Sequence, residues 1–117
     1  MISKKYRLTE NEVRKVLNRK KPFFSYVWIA NTTPNKLDHG RCGILLSSKV
    51  AKGSVNRNFW RRTYYDLSLP YITMLPLDMV LIAKKGTILD YKNEIHIVEF
   101  KKNIQSLYRH IVSETKK

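Results

Sequence analysis

One segment of the chain combines helical periodicity with a strong excess of positive charge. Residues 40–65 contain no acidic residue, and residues 54–67, which overlap the end of this stretch, are predicted to form a helix. At about 100° per residue, one side of this helix carries Val55, Phe59, Thr63 and Leu67. Trp60 lies at the margin of this side. The other side carries Arg57, Asn58, Arg61, Arg62 and Tyr65. We therefore predict one face that packs on a core and one face that binds phosphates.

The overall charge of the chain indicates a polyanionic partner. The 117 residues include 23 Lys and Arg against 9 Asp and Glu, a net charge of +14. Such an excess destabilises a compact fold by self-repulsion, and no i, i+4 pair of opposite sign relieves it on the basic face before Asp66. A merely solvated face is the alternative, but charges gathered at an electrostatic cost favour nucleic acid. A membrane surface is the rival partner, although no stretch approaches the ~20 apolar residues that span a bilayer.

The pattern before the basic helix predicts one helix and two strands within a single domain, residues 1–117. A first helix is expected from a Thr9 cap to about Arg19, because Glu12 has capping-box spacing. Residues 23–31 are rich in aromatic and β-branched side chains, and a turn-forming stretch separates them from a second strand at residues 41–47. We expect these two strands to form an antiparallel pair.

The pattern after the basic helix is more ambiguous. A loop with Pro70 and Pro76 is expected, followed by a short strand at residues 79–83. Residues 94–100 alternate as in a strand, whereas the apolar residues that follow have helical spacing. We favour a helix for most of this tail.

Three aromatic residues, Phe24, Tyr26 and Trp28, occupy alternate positions of the first predicted strand, and Val27 and Ile29 are predicted to lie on its other face. Alternation places the three rings on one face of a strand. That face either packs in the core or forms an open platform on which unpaired bases stack. The sequence leaves these two alternatives open.

Residues suited to catalysis are scarce. His39, His96 and His110 lie in different segments, without paired carboxylates, metal-binding spacing or a glycine-rich phosphate loop. The lone Cys42 excludes an intramolecular disulfide and is expected to be a small buried side chain in a strand. Residues 1–7 are basic and lack the apolar region of a signal peptide, so we expect a cytoplasmic protein.

The central segment resembles the signature of the bacterial ribonuclease P protein. That signature is a strand ending in Ser-x-Lys-Val, followed by a helix with Val-x-Arg-Asn-Arg-x-Lys/Arg-Arg. The chain has Arg-Cys-Gly-Ile-Leu-Leu-Ser-Ser-Lys-Val at residues 41–50 and Lys-Gly-Ser-Val-Asn-Arg-Asn-Phe-Trp-Arg-Arg at residues 52–62. Weaker likeness extends to Arg7-Leu8 near the start and to residues 78–83 and 89–91.

The resemblance implies an α+β fold, an α/β sandwich with about four strands in a mixed sheet packed with helices. It also implies a left-handed βαβ crossover, as in the ribosomal protein S5 domain 2-like fold. By the same resemblance, the protein binds a large catalytic RNA and holds the 5′ leader of precursor tRNA between the first helix and the sheet. Mg²⁺ bound mainly by that RNA is expected to activate the attacking water, so the protein itself is expected to supply no catalytic residue and no metal ligand.

The resemblance also assigns site residues. Those expected to contact the catalytic RNA are Lys49, Lys52, Arg57, Asn58, Arg61 and Arg62. Those expected to contact the leader are Val13, Leu17, Phe24, Tyr26 and Trp28.

The chain departs from the family at two places. Phe59 stands where the family usually has arginine, and it is expected to be buried. Val13 and Leu17 stand where the family tends to have phenylalanines, so the leader cleft should depend more on the aromatic strand. Two other functions remain as alternatives, a stand-alone basic endoribonuclease of the toxin type and a structural RNA-binding protein of the ribosomal type.

Overall fold

Four strands, two long α-helices and one short α-helix account for most of the described residues. The computed structural model describes residues 3–18, 21–25 and 27–115. A short 3-10 helix, Lys4–Tyr6, precedes the main elements, which are α1 (Glu10–Asn18), β1 (Lys21–Ser25), β2 (Trp28–Pro34), β3 (Arg41–Leu45), α2 (Ser54–Ile72), β4 (Leu77–Ala83) and α3 (Glu94–Thr115). None of the helices in this part of the chain is long and apolar enough to cross a membrane.

The sheet is mixed, with strand order β1-β2-β4-β3. Strand β4 is antiparallel to β2 and parallel to β3. Its first five residues, 77–81, are all buried, and an apolar strand of this kind is stabilised by a central position. The parallel β3–α2–β4 connection agrees with the βαβ unit that the resemblance implies. The left-handed sense of this crossover stays a prediction.

Two strand predictions were wrong. Residues 23–31 form a hairpin instead of one strand, because the chain reverses so that Ser25 pairs with Trp28. The strands β2 and β3 are not an antiparallel pair, because β4 lies between them. Of the turn-forming residues 33–40, the first two end β2, and residues 35–40 connect two strands that are not neighbours in the sheet.

The two faces of the sheet are covered differently. On one face α2 and α3 enclose the main core, where the Trp28 and Phe100 rings meet edge to face with centroids 5.3 Å apart. On the other face lies the short helix α1, whose Val16 is fully buried. The side chain of Val13 lies over Gly43 of β3 on this second face.

The helix predictions are confirmed except at the C-terminal end of α2. The capping box is present, with the Thr9 N–H donating to Glu12 Oε1 at 2.8 Å; Arg19, the expected last residue of this helix, lies outside the described residues. The tail is helical throughout residues 94–115, as favoured. Helix α2, however, continues to Ile72 through Pro70, where a loop was expected. Burial of Ile72 against the core offsets the hydrogen bond that proline cannot donate.

The lone cysteine is buried, as expected. Cys42 is fully enclosed on the α2 side of β3, and burial raises the pKa of its thiol to about 12, against weaker opposing hydrogen bonds from Ser68 and Tyr64. A thiol that stays protonated at neutral pH is a poor nucleophile. Cys42 therefore serves packing.

Gly40 marks a close approach of two backbone segments. A Cβ at this position would lie 2.3 Å from the carbonyl oxygen of Leu75 and 2.9 Å from that of Ile72. Because neither backbone atom can move freely, Gly40→Ala should lower the free energy of unfolding by about 2 kcal/mol or more in urea titrations. Gly43→Ala is the matched control, since its Cβ would meet only side chains at ordinary distance and should change stability by less than about 1 kcal/mol. Equal effects of the two changes would contradict this packing.

Candidate nucleic-acid interface

The orientation of α2 determines which of its residues reach solvent. Its buried stripe consists of Asn56, Trp60, Tyr64, Ser68 and Ile72. The predicted core side was therefore wrong by one position, and Val55, placed there from the sequence, is 66% exposed. Trp60 determines this rotation of the helix. Its ring packs on Phe100 with centroids 5.0 Å apart, and its Nε1 donates to Asn56 Oδ1 at 2.9 Å.

The basic side of α2 remains accessible after this rotation. Asn58 and Arg62 are exposed, and Arg57, Arg61 and Tyr65 are partly exposed along one flank. Arg57 donates to the carbonyl oxygen of Ala51 at 3.2 Å, and Arg61 donates to Asn58 Oδ1 at 3.0 Å. These contacts hold the guanidinium groups without neutralising them.

The loop before α2 adds two exposed lysines, Lys49 and Lys52. Together with the four predicted α2 residues they form what we call the basic surface: Lys49, Lys52, Arg57, Asn58, Arg61 and Arg62. Within residues 3–18, 21–25 and 27–115, no ion pair includes any of its cations. The structure thus brings together all six residues predicted for RNA contact and leaves their charge available to a polyanion.

Phe59 is partly buried beside the basic surface. Its ring meets Trp60 at 5.1 Å and Tyr91 at 5.8 Å. The sequence predicted burial, and the side chain does pack against the core, although on the flank of α2 instead of its centre.

The prediction that Phe24 and Trp28 share one strand face was wrong. Phe24 is 62% exposed, whereas Trp28 is fully buried on the opposite face of the sheet. Trp28 therefore has no surface on which a base could stack, and the prediction that it contacts the leader was wrong. Tyr26 lies outside the described residues.

Phe24 instead begins a row that crosses the whole sheet. Opposite one another on β1, β2, β4 and β3 lie Phe24, Ile29, Ile82 and Leu45, which we call the apolar row. Directly paired residues share a face. Gly43 faces α1, and Leu45, two positions further along β3, lies on the same face. The row therefore lies on the α1 side of the sheet. The sequence analysis missed the last two members, because only strand pairing brings them beside Phe24.

An ion-pair network fixes α1 on the face of the sheet that carries this row. Arg41 of β3 contacts Glu12 of α1 and holds both carboxylate oxygens of Asp78 at 2.9 and 2.7 Å. Asn35 donates to the same carboxylate at 2.9 Å. Helix α1 is thereby tied to both β3 and β4, and its Val13 and Leu17 are partly exposed on the same side of the sheet as the apolar row.

The histidines are engaged in separate structural contacts. Nδ1 of His39 is 2.9 Å from the carbonyl oxygen of Gly40, and Nδ1 of His96 accepts a hydrogen bond from the Asp90 N–H at 3.0 Å. His110 packs edge to face on Phe23. In the part of the chain that the structure describes, no group of three His, Cys, Asp or Glu side chains could hold a metal ion.

Comparison with known proteins gives one family. The family model described as Ribonuclease P matches residues 2–112. The RNase P protein of Staphylococcus aureus superposes with a TM-score of 0.74 at 18% identity, covering 91% of this chain and 94% of that chain. The RNase P protein of Thermotoga maritima gives 0.68 at 20% identity, covering 88% and 96%. These likenesses confirm the expected α+β fold. A comparison with curated protein sequences finds no match.

Phe59→Arg tests whether the family residue is compatible with this packing. The change removes two aromatic contacts while the longer side chain reaches solvent from the flank, so we expect a loss of about 1 to 2 kcal/mol in urea unfolding. Val55→Arg adds the same charge one turn earlier at an exposed position and should change stability by about 0.5 kcal/mol or less. A Phe59→Arg variant with an unchanged free energy of unfolding would show that these ring contacts contribute nothing to stability.

Proposed function

The chain belongs to the ribonuclease P protein family and is the protein subunit of that tRNA-processing ribonucleoprotein; from this premise we propose that it binds the catalytic RNA through the basic surface and the 5′ leader of precursor tRNA through the cleft beside α1. The family implies a partner RNA. The assignment of each surface to its ligand is our proposal.

The observation that carries this proposal is the unpaired charge of the basic surface. Five cations lie on one helix and the loop before it, while the ion pairs of residues 3–18, 21–25 and 27–115 all involve Arg14 or Arg41. Phosphates of a folded RNA would neutralise this surface and release counterions, which supplies affinity independent of sequence. A rigid helix that presents Arg57, Arg61 and Arg62 in fixed positions is suited to an RNA of defined shape.

The cleft beside α1 is suited to an unpaired strand. The exposed ring of Phe24 offers a stacking surface, and the Lys84 ammonium lies 5.8 Å from its centroid. Stacking on an aromatic ring contributes about 1 to 3 kcal/mol per base with little sequence preference. Leaders differ in sequence among precursor tRNAs, so recognition of this kind fits the substrate.

We propose that the reactive groups and Mg²⁺ belong to the RNA, and that the protein acts by binding and orientation. The three histidines support this division, because each is engaged in packing or a local hydrogen bond. Holding the leader and the catalytic RNA on one rigid sheet would keep the scissile phosphate near the RNA-bound metal ions. Positioning alone can contribute several kcal/mol to catalysis.

Reconstitution tests the proposed function. The purified chain, added to a bacterial-type ribonuclease P RNA and precursor tRNA at low Mg²⁺, should stimulate cleavage at the 5′ end of the mature tRNA. Cleavage by the protein without RNA would instead indicate an endoribonuclease of the toxin type. Absence of any stimulation would favour a structural RNA-binding protein.

Phe24→Ala tests the leader cleft. Because Phe24 is largely exposed, its removal should leave the melting temperature nearly unchanged. Affinity for precursor tRNA should fall about fivefold to more than a hundredfold when the leader reaches the ring, but remain unchanged for a one-nucleotide leader. Phe23→Ala is the matched control, since the neighbouring ring is buried on the other face and its loss should cost about 3 to 5 kcal/mol of stability. An effect of Phe24→Ala that does not depend on leader length would exclude stacking there.

A further inference from the structure

Arg7 lies beside the edge strand β3 with an unsatisfied side chain. Its Nε is buried and has no hydrogen-bond partner, and within the described ranges, residues 3–18, 21–25 and 27–115, it takes part in no ion pair. A buried donor without an acceptor costs free energy. An acceptor that arrives with a ligand would recover that cost.

The backbone fixes the direction of this side chain. Arg7 forms a parallel bridge with Cys42, and the Leu8 N–H donates to the Cys42 carbonyl oxygen at 3.0 Å. Bridged residues share a face of the sheet, and Cys42 faces α2. Leu8 points the other way, towards Gly43 on the α1 side. Arg7 is therefore held on the same side of the sheet as α2.

Arg61 and Tyr65 lie on the flank of α2 that faces away from α3. The opposite flank packs Phe59 on Tyr91 and Tyr71 on Tyr108, and Arg57, one turn before Arg61, donates to the carbonyl oxygen of Ala51 just beyond β3. Burial raises the pKa of Tyr65, and Cys42 raises it further, while the charges of Arg61 and Arg7 act in the opposite direction. The net rise keeps the hydroxyl protonated at neutral pH, so that it can donate a hydrogen bond. Arg7 lies beside the edge strand on the α2 side of the sheet, so this flank of α2 and Arg7 together place two cations that form no ion pair within the described residues, and one neutral donor, at the edge of β3.

We propose that Arg7, Arg61 and Tyr65 together bind one backbone phosphate of the catalytic RNA. This phosphate site deepens the proposed function and rests on it, because it extends the basic surface from α2 to the N-terminal segment. Arg7 would then be an RNA-binding residue that lies outside the signature helix.

A phosphate matches this donor set better than other anions. A guanidinium donates two parallel hydrogen bonds to a pair of phosphate oxygens, and the hydroxyl of Tyr65 can donate to a further lone pair. The nearby acceptor Asn58 Oδ1 already receives the hydrogen bond of Arg61. The ligand that relieves two adjacent positive charges must carry negative charge itself.

A double-mutant cycle tests the site with the full chain and a bacterial-type ribonuclease P RNA transcribed in vitro. Arg7→Gln and Arg61→Gln should each lower affinity by about tenfold or more at moderate salt. If both side chains hold one phosphate, the double variant should bind at least about threefold better than the product of the two single losses. Arg7→Lys should retain the salt dependence of binding but lose affinity, because an ammonium cannot replace the fork of the guanidinium.

Arg62 provides the matched control for this cycle. It lies one residue further along α2 on the outward face, so losses from Arg7→Gln and Arg62→Gln should multiply. Independent losses for Arg7 and Arg61, or a loss from Arg7→Gln explained by a lower melting temperature, would overturn the shared phosphate and leave the proposed function intact. A wild-type chain that does not bind this RNA would contradict the proposed function and the phosphate site together.

Discussion

The packing of one helix stripe on the sheet sets the arrangement of everything else in this protein. Trp60 lies at the centre of that stripe, between Asn56 and the ring of Phe100. Because a helix is rigid, fixing Trp60 towards the core fixes the direction of each neighbouring side chain. Arg62 must then point outward, and Arg61 must lie along the flank that faces Arg7. The geometry of the basic surface is thus a consequence of aromatic packing.

Strand β4 gives the sheet two faces with different roles. Pairing with β2 on one side and β3 on the other brings distant segments into register, and the two long helices cover the core-facing side, where Trp28, Met79 and Leu81 are fully buried. The short α1 covers only part of the other face and depends on the Glu12–Arg41–Asp78 ion pairs for its position. The incomplete cover leaves the apolar row accessible. One face therefore supplies stability, and the other is open to a ligand.

Charge and packing oppose each other in this chain. A net charge of +14 favours expansion, while the enclosed core of Trp28, Trp60, Phe100 and Tyr108 favours a compact state. Phe59 adds no charge at the position where the resemblance implies an arginine, and its ring packs on Tyr91 instead. The remaining cations are concentrated where a phosphate backbone would neutralise them.

The sequence by itself determined the composition of the basic surface, the capping box of α1 and the burial of Cys42, because these depend on local spacing and on the chemistry of single residues. The family and the mixed α+β fold also followed from residues in fixed order along the chain. Only the tertiary structure decided the rotation of α2, the hairpin that separates Phe24 from Trp28, and the apolar row with Ile82 and Leu45. These features depend on which residues from distant segments compete for the core. Helical periodicity placed Val55 and Phe59 inward, but the larger Trp60 and Tyr64 took that position because the aromatic side chains of α3 lay opposite them.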